Sequence, residues 1–421
     1  MEKVVLVGLQ TKDKTELEVK NSLDELESLC LTAGALTLGK AVQKRDVPDA
    51  AYFIGRGKAL EVKELVEMLN ADGIIFDEQL KPIQQRNLEK ITEKRVIDRT
   101  RVILDIFAFR AKTKEGKLQV ERAELTYESA RLANQGVNLD SQSGGIGTRR
   151  GPGERKIESD KRIIRDRIAS LDREIEKIKS RRDIQRGSRK NSDFPEVAIV
   201  GYTNAGKSTL LKNLSKSDIY ADDKLFATLD PITRKVKLPG GREVLFTDTV
   251  GFINKLPHDL IAAFKSTMEE ILRADCILHV IDASNPDKNK HIKTVFDVLK
   301  DIGADGIPVI TVYNKADKID PYFINSLKSE DSYIISAKSM EGVKELLKAV
   351  EEKAVPEHSF HKIMLSYKNQ GVISELYKLS NVKEKNYKKD RIEIKLESSE
   401  ENWSKIRNIM KEHKLKDLKN A

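Results

Sequence analysis

Val197-Ala-Ile-Val-Gly-Tyr-Thr-Asn-Ala-Gly-Lys-Ser-Thr209 reads as a buried strand, a glycine-bounded loop and the start of a helix. Gly201, Gly206, Lys207 and Ser208 occupy the fixed positions of Gly-x-x-x-x-Gly-Lys-Ser. That spacing lets backbone N–H groups of Gly201, Tyr202, Thr203, Asn204, Ala205 and Gly206 curl around a phosphate chain as the helix opens at Ser208 and Thr209. The Lys207 ammonium can then reach the outer phosphates, and the Ser208 hydroxyl can ligate Mg²⁺. The competing reading is a glycine-rich turn in an unrelated α/β unit. Residues further along the chain decide between the two.

A chain of 421 residues holds two or three domains, each with its own core. Charged residues make up 34%, and no apolar run reaches the roughly 20 residues of a membrane span. The apolar run after Met1 is too short for a signal peptide. Cys30 and Cys276 lie far apart, which excludes a disulfide framework or a cysteine zinc site and fits a reducing cytoplasm; partial membrane association is left open. The net charge of +9 suggests an anionic partner.

Residues 1–111 alternate short apolar runs (Val4–Val7, Tyr52–Ile54, Gly73–Phe76, Arg95–Asp98) with amphipathic stretches (Leu17–Leu29, Lys58–Leu69, Pro82–Ile91, Asp98–Arg110). The alternation predicts an α/β subdomain of mostly parallel strands with crossover helices. Gly55-Arg-Gly57 reads as a turn and helix start, with an anion site as the sharper alternative. Residues 112–191 are different in character. Leu118, Leu125 and Leu132 recur at heptad spacing, and Ile164, Ile168, Leu171, Ile175 and Ile178 alternate by four and three. These periods predict a helical hairpin. Its tip, Ser143–Glu154, is too rich in glycine for a regular helix. Between Arg149 and Lys190 stand 16 Lys/Arg against 8 Asp/Glu, and no aromatic residue lies in Gly144–Lys190. A one-sided excess beside a Gly/Arg loop favours contact with an RNA backbone over a merely solvated face. Arg149, Arg150, Arg155 and Lys156 are the candidate contacts.

Residues 192–357 form a βα series with strands expected at Val197–Val200, Val244–Thr247, Cys276–Ile281, Val309–Tyr313 and Tyr333–Ile335. Their lack of polar alternation predicts a mostly parallel sheet with helices on both faces. Ligands of such sheets sit at the carboxyl ends of the strands, and further motifs fall there. Phe226-Ala227-Thr228-Leu229-Asp230 can flex and offers the Thr228 hydroxyl to Mg²⁺ and its N–H to a terminal phosphate. In Asp248-Thr249-Val250-Gly251 the carboxylate can hold Mg²⁺ through water, and the Gly251 N–H can sense a γ-phosphate. Asn314-Lys315-Ala-Asp317 places Asp317 to accept from guanine N1–H and N2–H₂. Ser336-Ala337-Lys338 offers N–H groups to guanine O6.

All of these in one order, each at a strand end, resemble the guanine-nucleotide-binding fold of translation-factor-related GTPases. Gly144-Gly-Ile-Gly-Thr-Arg-Arg-Gly-Pro-Gly-Glu154 and Leu225-Phe-Ala-Thr-Leu-Asp-Pro-Ile-Thr-Arg234 narrow this to the HflX family, across residues 1 to about 355. Two positions depart from the family's pattern: a second arginine at Arg149-Arg150, and Ile232 where a threonine stands. The resemblance implies a P-loop GTPase domain converting GTP to GDP and phosphate, and association with the large ribosomal subunit and its RNA. It further implies splitting of stalled ribosomes during stress. We expect a monomer without membrane insertion.

The residue after Gly251 is Phe252, which cannot orient an attacking water. Slow intrinsic hydrolysis is therefore expected, accelerated by a partner that orders the segments around Thr228 and Phe252. Lys207, Thr228 and Gly251 are the expected catalytic set, and Asn204 resembles the phosphate-loop asparagine of relatives that use K⁺, which implies K⁺ as an activating ion. Residues 358–421 read as a small α/β domain in which Trp403 packs a core; His358-x-x-His361 lacks a third ligand. The rival readings are a GTP-dependent switch acting on a protein or lipid surface without RNA, and an RNA-remodelling NTPase whose first α/β unit binds ATP. The second is disfavoured because no second phosphate loop occurs in residues 1–191.

Overall fold

The short apolar runs and the helical periods between them give three sheets. The computed structural model describes residues 1–133, 152–187, 194–215, 225–226, 228–255, 265–324, 327, 329, 331–354, 358–369, 371–413 and 415–417. The N-terminal unit contains β1 (Glu2–Gln10), α1 (Glu16–Ala33), β2 (Ala35–Lys44), α2 (Arg56–Met68), β3 (Gly73–Phe76), α3 (Pro82–Thr92), β4 (Arg95–Asp98) and α4 (Arg99–Arg110). Its sheet is parallel throughout, in the order β2-β1-β3-β4. Two expectations are corrected. Tyr52–Ile54 is no strand but a tight turn, in which the Asp49 carboxylate accepts from the N–H groups of Ala51 (2.8 Å) and Tyr52 (3.0 Å) and Phe53 is left-handed. The strand between α1 and α2 is instead β2, an edge strand whose half-exposed polar positions break the apolar run. Gly55 sits at the N-terminus of α2, where its N–H donates to Gln43 (2.7 Å), consistent with a turn and helix start.

Helices α5 (Lys114–Ala133) and α6 (Pro152–Gly187) lie along each other. Leu171 is fully buried between them and the half-buried Ile164, Ile168, Ile175 and Ile178 share its face, as the four-three spacing predicts. Cross-links Arg122–Asp172 (2.5 Å) and Arg167–Glu121 (2.6 Å) flank the seam. Helix α6 begins at Pro152, so the end of the expected non-helical tip is already helical; proline suits the first helical position because its missing N–H has no partner there. Arg149 and Arg150 lie outside the described residues, as do the side chains of Arg155 and Lys156 on α6.

The third unit comprises β5 (Glu196–Gly201), α7 (Lys207–Ser215), β6 (Ile232–Lys237), β7 (Glu243–Asp248), α8 (Lys265–Arg273), β8 (Cys276–Asp282), α9 (Lys288–Asp301), β9 (Val309–Asn314), α10 (Pro321–Ile324), β10 (Ser332–Ile334) and α11 (Val343–Ala354). The sheet order is β10-β9-β8-β5-β7-β6, parallel except for the β6–β7 pair. Strand β6 escapes a hydrophobicity reading because four of its six residues are polar and it forms the edge. The C-terminal unit runs β11 (His358–Ser366), α12 (Val372–Leu379), β12 (Asn381–Tyr387), β13 (Arg391–Ser399), α13 (Glu400–Glu412) and β14 (Lys416–Asp417). Its antiparallel order β12-β13-β11-β14 is a ferredoxin-like split βαβ arrangement. Trp403 is buried there and stacks on His361, with centroids 3.3 Å apart.

The first and third units meet around a buried cation. Arg99 is 1% exposed and pairs with Asp77 (2.9 Å) and Glu25. Asp77 also pairs with Lys255 and accepts from Ser22 (2.6 Å). Burial raises the Asp77 carboxyl, but Lys255 and Arg99 outweigh it and hold the group below the ordinary carboxylate range. The Tyr202 hydroxyl donates to Glu25 (2.5 Å) and accepts from the Asn254 N–H (2.7 Å), while its ring stacks on His291. Replacing Arg99 with alanine leaves Glu25 without its cation and Asp77 with Lys255 alone. Arg99→Ala is expected to destabilise the chain by about 3–5 kcal/mol in urea denaturation, as removal of one partner of a buried pair does.

Candidate nucleotide site

Strand β5 delivers the loop 201–206 to the edge of a cavity of about 470 Å³. Two glycines are required on steric grounds. Gly201 has φ 153°, and a Cβ there would stand 2.2 Å from the Val280 carbonyl oxygen; Gly206 has φ 95°, and a Cβ there would stand 2.2 Å from Asn314 Nδ2. The segment after β7 is zipped to this loop, with Phe252 N–H donating to Gly201 O (3.0 Å) and Thr203 N–H to Phe252 O (2.8 Å). Gly251 thereby lies against Lys207 and Thr203, with no room for a side chain.

Lys207 is 6% exposed, and its ammonium donates to the carbonyls of Gly201 (3.1 Å) and Tyr202 (2.9 Å). Burial lowers its ammonium to about 8, against the opposing pull of the Asp248 carboxylate. Burial also pushes the Asp248 carboxyl up, with Lys207, Ser208 and Thr228 opposing. Three oxygens converge in front of this pair. Ser208 Oγ donates to Asp248 Oδ2 (2.6 Å), Thr228 Oγ1 donates to the same oxygen (2.8 Å), and the two hydroxyl oxygens are 2.8 Å apart. With Asp248 ionised, two hydroxyl protons serve three such contacts, so lone pairs face each other across one of them. Asp248 Oδ1 is buried with no protein partner among the described residues. An all-oxygen set of two hydroxyls and a carboxylate, short of protons, fits a hard cation such as Mg²⁺.

At the far end of the cavity Asn314 ties two loops together. Its Nδ2 donates to Ala205 O (2.7 Å), and its Oδ1 accepts from the Ala337 N–H (2.8 Å). Asp317 accepts from Ser336 Oγ (2.7 Å), which holds its carboxyl below the ordinary range. Lys315 is left-handed and pairs with Asp282 (2.7 Å).

The cavity wall includes Thr203, Asn204, Gly206, Lys207, Ser208 and Thr209 from the phosphate loop and its helix, then Phe226, Thr228, Thr249 and Gly251, and finally Asn314, Lys315, Asp317, Ala337 and Lys338. Gly201, Tyr202, Ala205, Asp248 and Ser336 stand behind it as supports. Leu229 and Val250 turn into the hydrophobic core. Asp230, expected beside the nucleotide, points away to Lys112 and Thr113. Ala227 lies outside the described residues. Sequence reading missed Asp282 and the wall residue Lys318; the first ends a strand and the second directly follows Asp317, and neither belongs to a motif of its own. Among the described residues no group of three or more His, Cys, Asp and Glu side chains could hold a metal.

Comparison with known proteins shows the family. Family models match as "GTP-binding GTPase N-terminal" over residues 20–108, "GTP-binding GTPase Middle Region" over 110–189 and "50S ribosome-binding GTPase" over 196–315. GTPase HflX of Lacrimispora saccharolytica is 47% identical over 93% of this chain and 92% of its own length. GTPase HflX of Escherichia coli is 41% identical over 90% and 89%. The chain belongs to the HflX family. It is thus a GTPase that binds guanine nucleotide and hydrolyses GTP. A solved GTP-binding protein from Sulfolobus solfataricus in complex with GDP aligns with a TM-score of 0.44 and 25% identity, over 84% of this chain and 99% of that one.

For this HflX chain, Gly206→Ala is expected to weaken GDP binding roughly hundredfold, about 2.7 kcal/mol, measured with a fluorescent nucleotide. The added methyl displaces Asn314 and with it the 336–338 turn. Gly303→Ala, at a left-handed glycine with nothing within 4 Å, is the control and should leave affinity unchanged.

Proposed function

We propose that this HflX chain is a Mg²⁺-dependent GTPase that is slow alone, is stimulated on the large ribosomal subunit, and splits or rescues stalled ribosomes under stress. The nucleotide lies along the cavity from Lys207 to Asp317. N–H groups of residues 201–208 and the Lys207 ammonium hold its phosphates, and Asp317 with the 336–338 amides reads guanine. Ser208 and Thr228 would hold Mg²⁺ with Asp248 behind them, and the ion would neutralise negative charge on the phosphates. Lys207, released from the carbonyls of Gly201 and Tyr202, adds a second positive charge. The Gly251 N–H and Thr228 N–H face the terminal phosphate. Asn204, left-handed and exposed on the cavity rim, is proposed to admit K⁺ as an activating ion; equal turnover in Na⁺ and K⁺ would remove that element.

Slowness follows from Phe252 and Ile253, each 2% exposed and packed in the core shared with the N-terminal unit. Neither can orient water, and the next polar side chain, Asn254, accepts from Thr294. A partner must complete the site.

The ribosomal assignment is carried by α6. Arg162, Arg165, Arg173, Lys177 and Arg181 are exposed on it, and its partner helix α5 starts against Asp230, two residues from Thr228 of the cavity wall. The family description "50S ribosome-binding GTPase" supports the same reading. No described helix is long and apolar enough to cross a membrane.

Co-sedimentation with large subunits in a non-hydrolysable GTP analogue should weaken steeply with salt, roughly tenfold or more between 50 and 200 mM for several phosphate contacts. Arg162→Ala/Arg165→Ala/Arg173→Ala should flatten that dependence. GTP turnover should rise at least about tenfold with ribosomes. Turnover equal with and without ribosomes, or binding indifferent to salt, would favour a switch acting on another partner.

A further inference from the structure

Asp230 follows Thr228 by two residues, yet its carboxylate faces the other way. Oδ2 accepts from the N–H groups of Lys112 (3.0 Å) and Thr113 (3.0 Å), and Oδ1 from Thr113 Oγ1 (2.5 Å). Thr113 Oγ1 in turn accepts from the Gly116 N–H (3.0 Å). Thr113 is therefore the N-cap of α5, and Asp230 completes the cap from a different part of the chain. A carboxylate there satisfies free N–H groups and suits the positive end of the helix dipole. Gly116 makes room for it: a Cβ at that position would lie 2.5 Å from Asp230 Oδ1.

The same segment is anchored on its other side. Leu225, Phe226 and Leu229 are buried in one core with Val102, Ile103 and Phe107 of α4 and Val120 and Ala123 of α5. Phe226 holds a left-handed φ of 54°, costly for a bulky residue, with its ring edge-on to Phe107 at 4.7 Å. Pro231 restricts Asp230 to extended backbone. Thr228 is thus suspended between two anchors on the arm side of the molecule while its hydroxyl meets Ser208 and Asp248.

We propose that Asp230 is a positioning residue for GTP hydrolysis. By gripping the first turn of α5 it sets Thr228 in the nucleotide site, and it ties the orientation of the helical arm to whether that site holds GTP or GDP. This rests on the reading of Thr228 as a nucleotide-site residue. Thr228 faces the γ-phosphate end of the cavity, so the grip matters for GTP and its analogues and little for GDP. Thermodynamic reciprocity then applies: whatever holds the arm in the gripped orientation raises affinity for GTP.

Asp230→Ala removes the grip. Gly116→Ala dislodges the carboxylate and crowds the Thr113 hydroxyl, 3.1 Å from the new methyl, while adding a better helix former that offsets part of the lost capping. In the full-length chain both variants are expected to lower kcat for GTP and the affinity for a non-hydrolysable GTP analogue by roughly tenfold, with GDP affinity unchanged. The double variant should be no worse than Asp230→Ala alone, because both changes break one contact. Thr228→Ala is the reference. If it abolishes hydrolysis while both other variants behave as the unmodified chain, the grip has no catalytic consequence and the proposal fails alone. If GDP and analogue affinities fall together, Asp230 is only a structural cap and the proposal also fails. If Thr228→Ala hydrolyses GTP normally, the reading of the nucleotide site fails first.

Discussion

A buried guanidinium in the first unit organises its polar contacts with the third. Arg99 is 1% exposed, so its charge must be neutralised by carboxylates that are themselves held in place. Asp77 at the end of β3 and Glu25 on α1 do this, and each has a second partner in the GTPase unit: Lys255 for Asp77 and the Tyr202 hydroxyl for Glu25. The pairing therefore fixes more than the N-terminal core. Tyr202 belongs to the phosphate loop, and Lys255 lies four residues beyond Gly251. An electrostatic requirement inside one unit thus sets the geometry of two segments that face the nucleotide in another.

The 225–230 segment is placed by different physics toward the same end. There the anchor is apolar, Leu225, Phe226 and Leu229 in the α4–α5 core, and the polar grip of Asp230 comes on top of it. Both segments on the proposed γ-phosphate side are consequently attached to the N-terminal unit and the arm. The opposite end of the cavity, around Asn314 and Asp317, is braced within the GTPase unit itself by Ala205, Ser336 and Ala337. On the proposed reading, guanine recognition is rigid while phosphate sensing is open to influence from the arm.

Much of this was legible in the residues. The phosphate loop, the strand-end motifs and the heptad seam follow from spacing alone, because close backbone approach and helix packing each demand particular residues at particular intervals. What escaped had a common cause. Strands β2 and β6 are edges whose polar positions erase the hydrophobic signal, and Tyr52–Ile54 is apolar although an aspartate turn holds it. Asp230 was misdirected toward the nucleotide because its neighbours in sequence face it; its partner Thr113 lies 117 residues away, a separation that no local pattern encodes.

Phe252 completes the argument about control. A side chain that could orient water at this position would have to leave the core, since Phe252 is held there by backbone bonds to Gly201 and Thr203 as well as by burial. The same bonds keep Gly251 tight against Lys207, whose ammonium donates to the carbonyls of Gly201 and Tyr202. Moving this segment requires the Tyr202–Asn254 bond and the Lys255–Asp77 pair to yield together, because all lie within four residues of Gly251 or on the loop it touches. Any activator must therefore work against the inter-unit contacts or through them. A basic arm rooted at α5, next to the Asp230 grip, is placed to work through them.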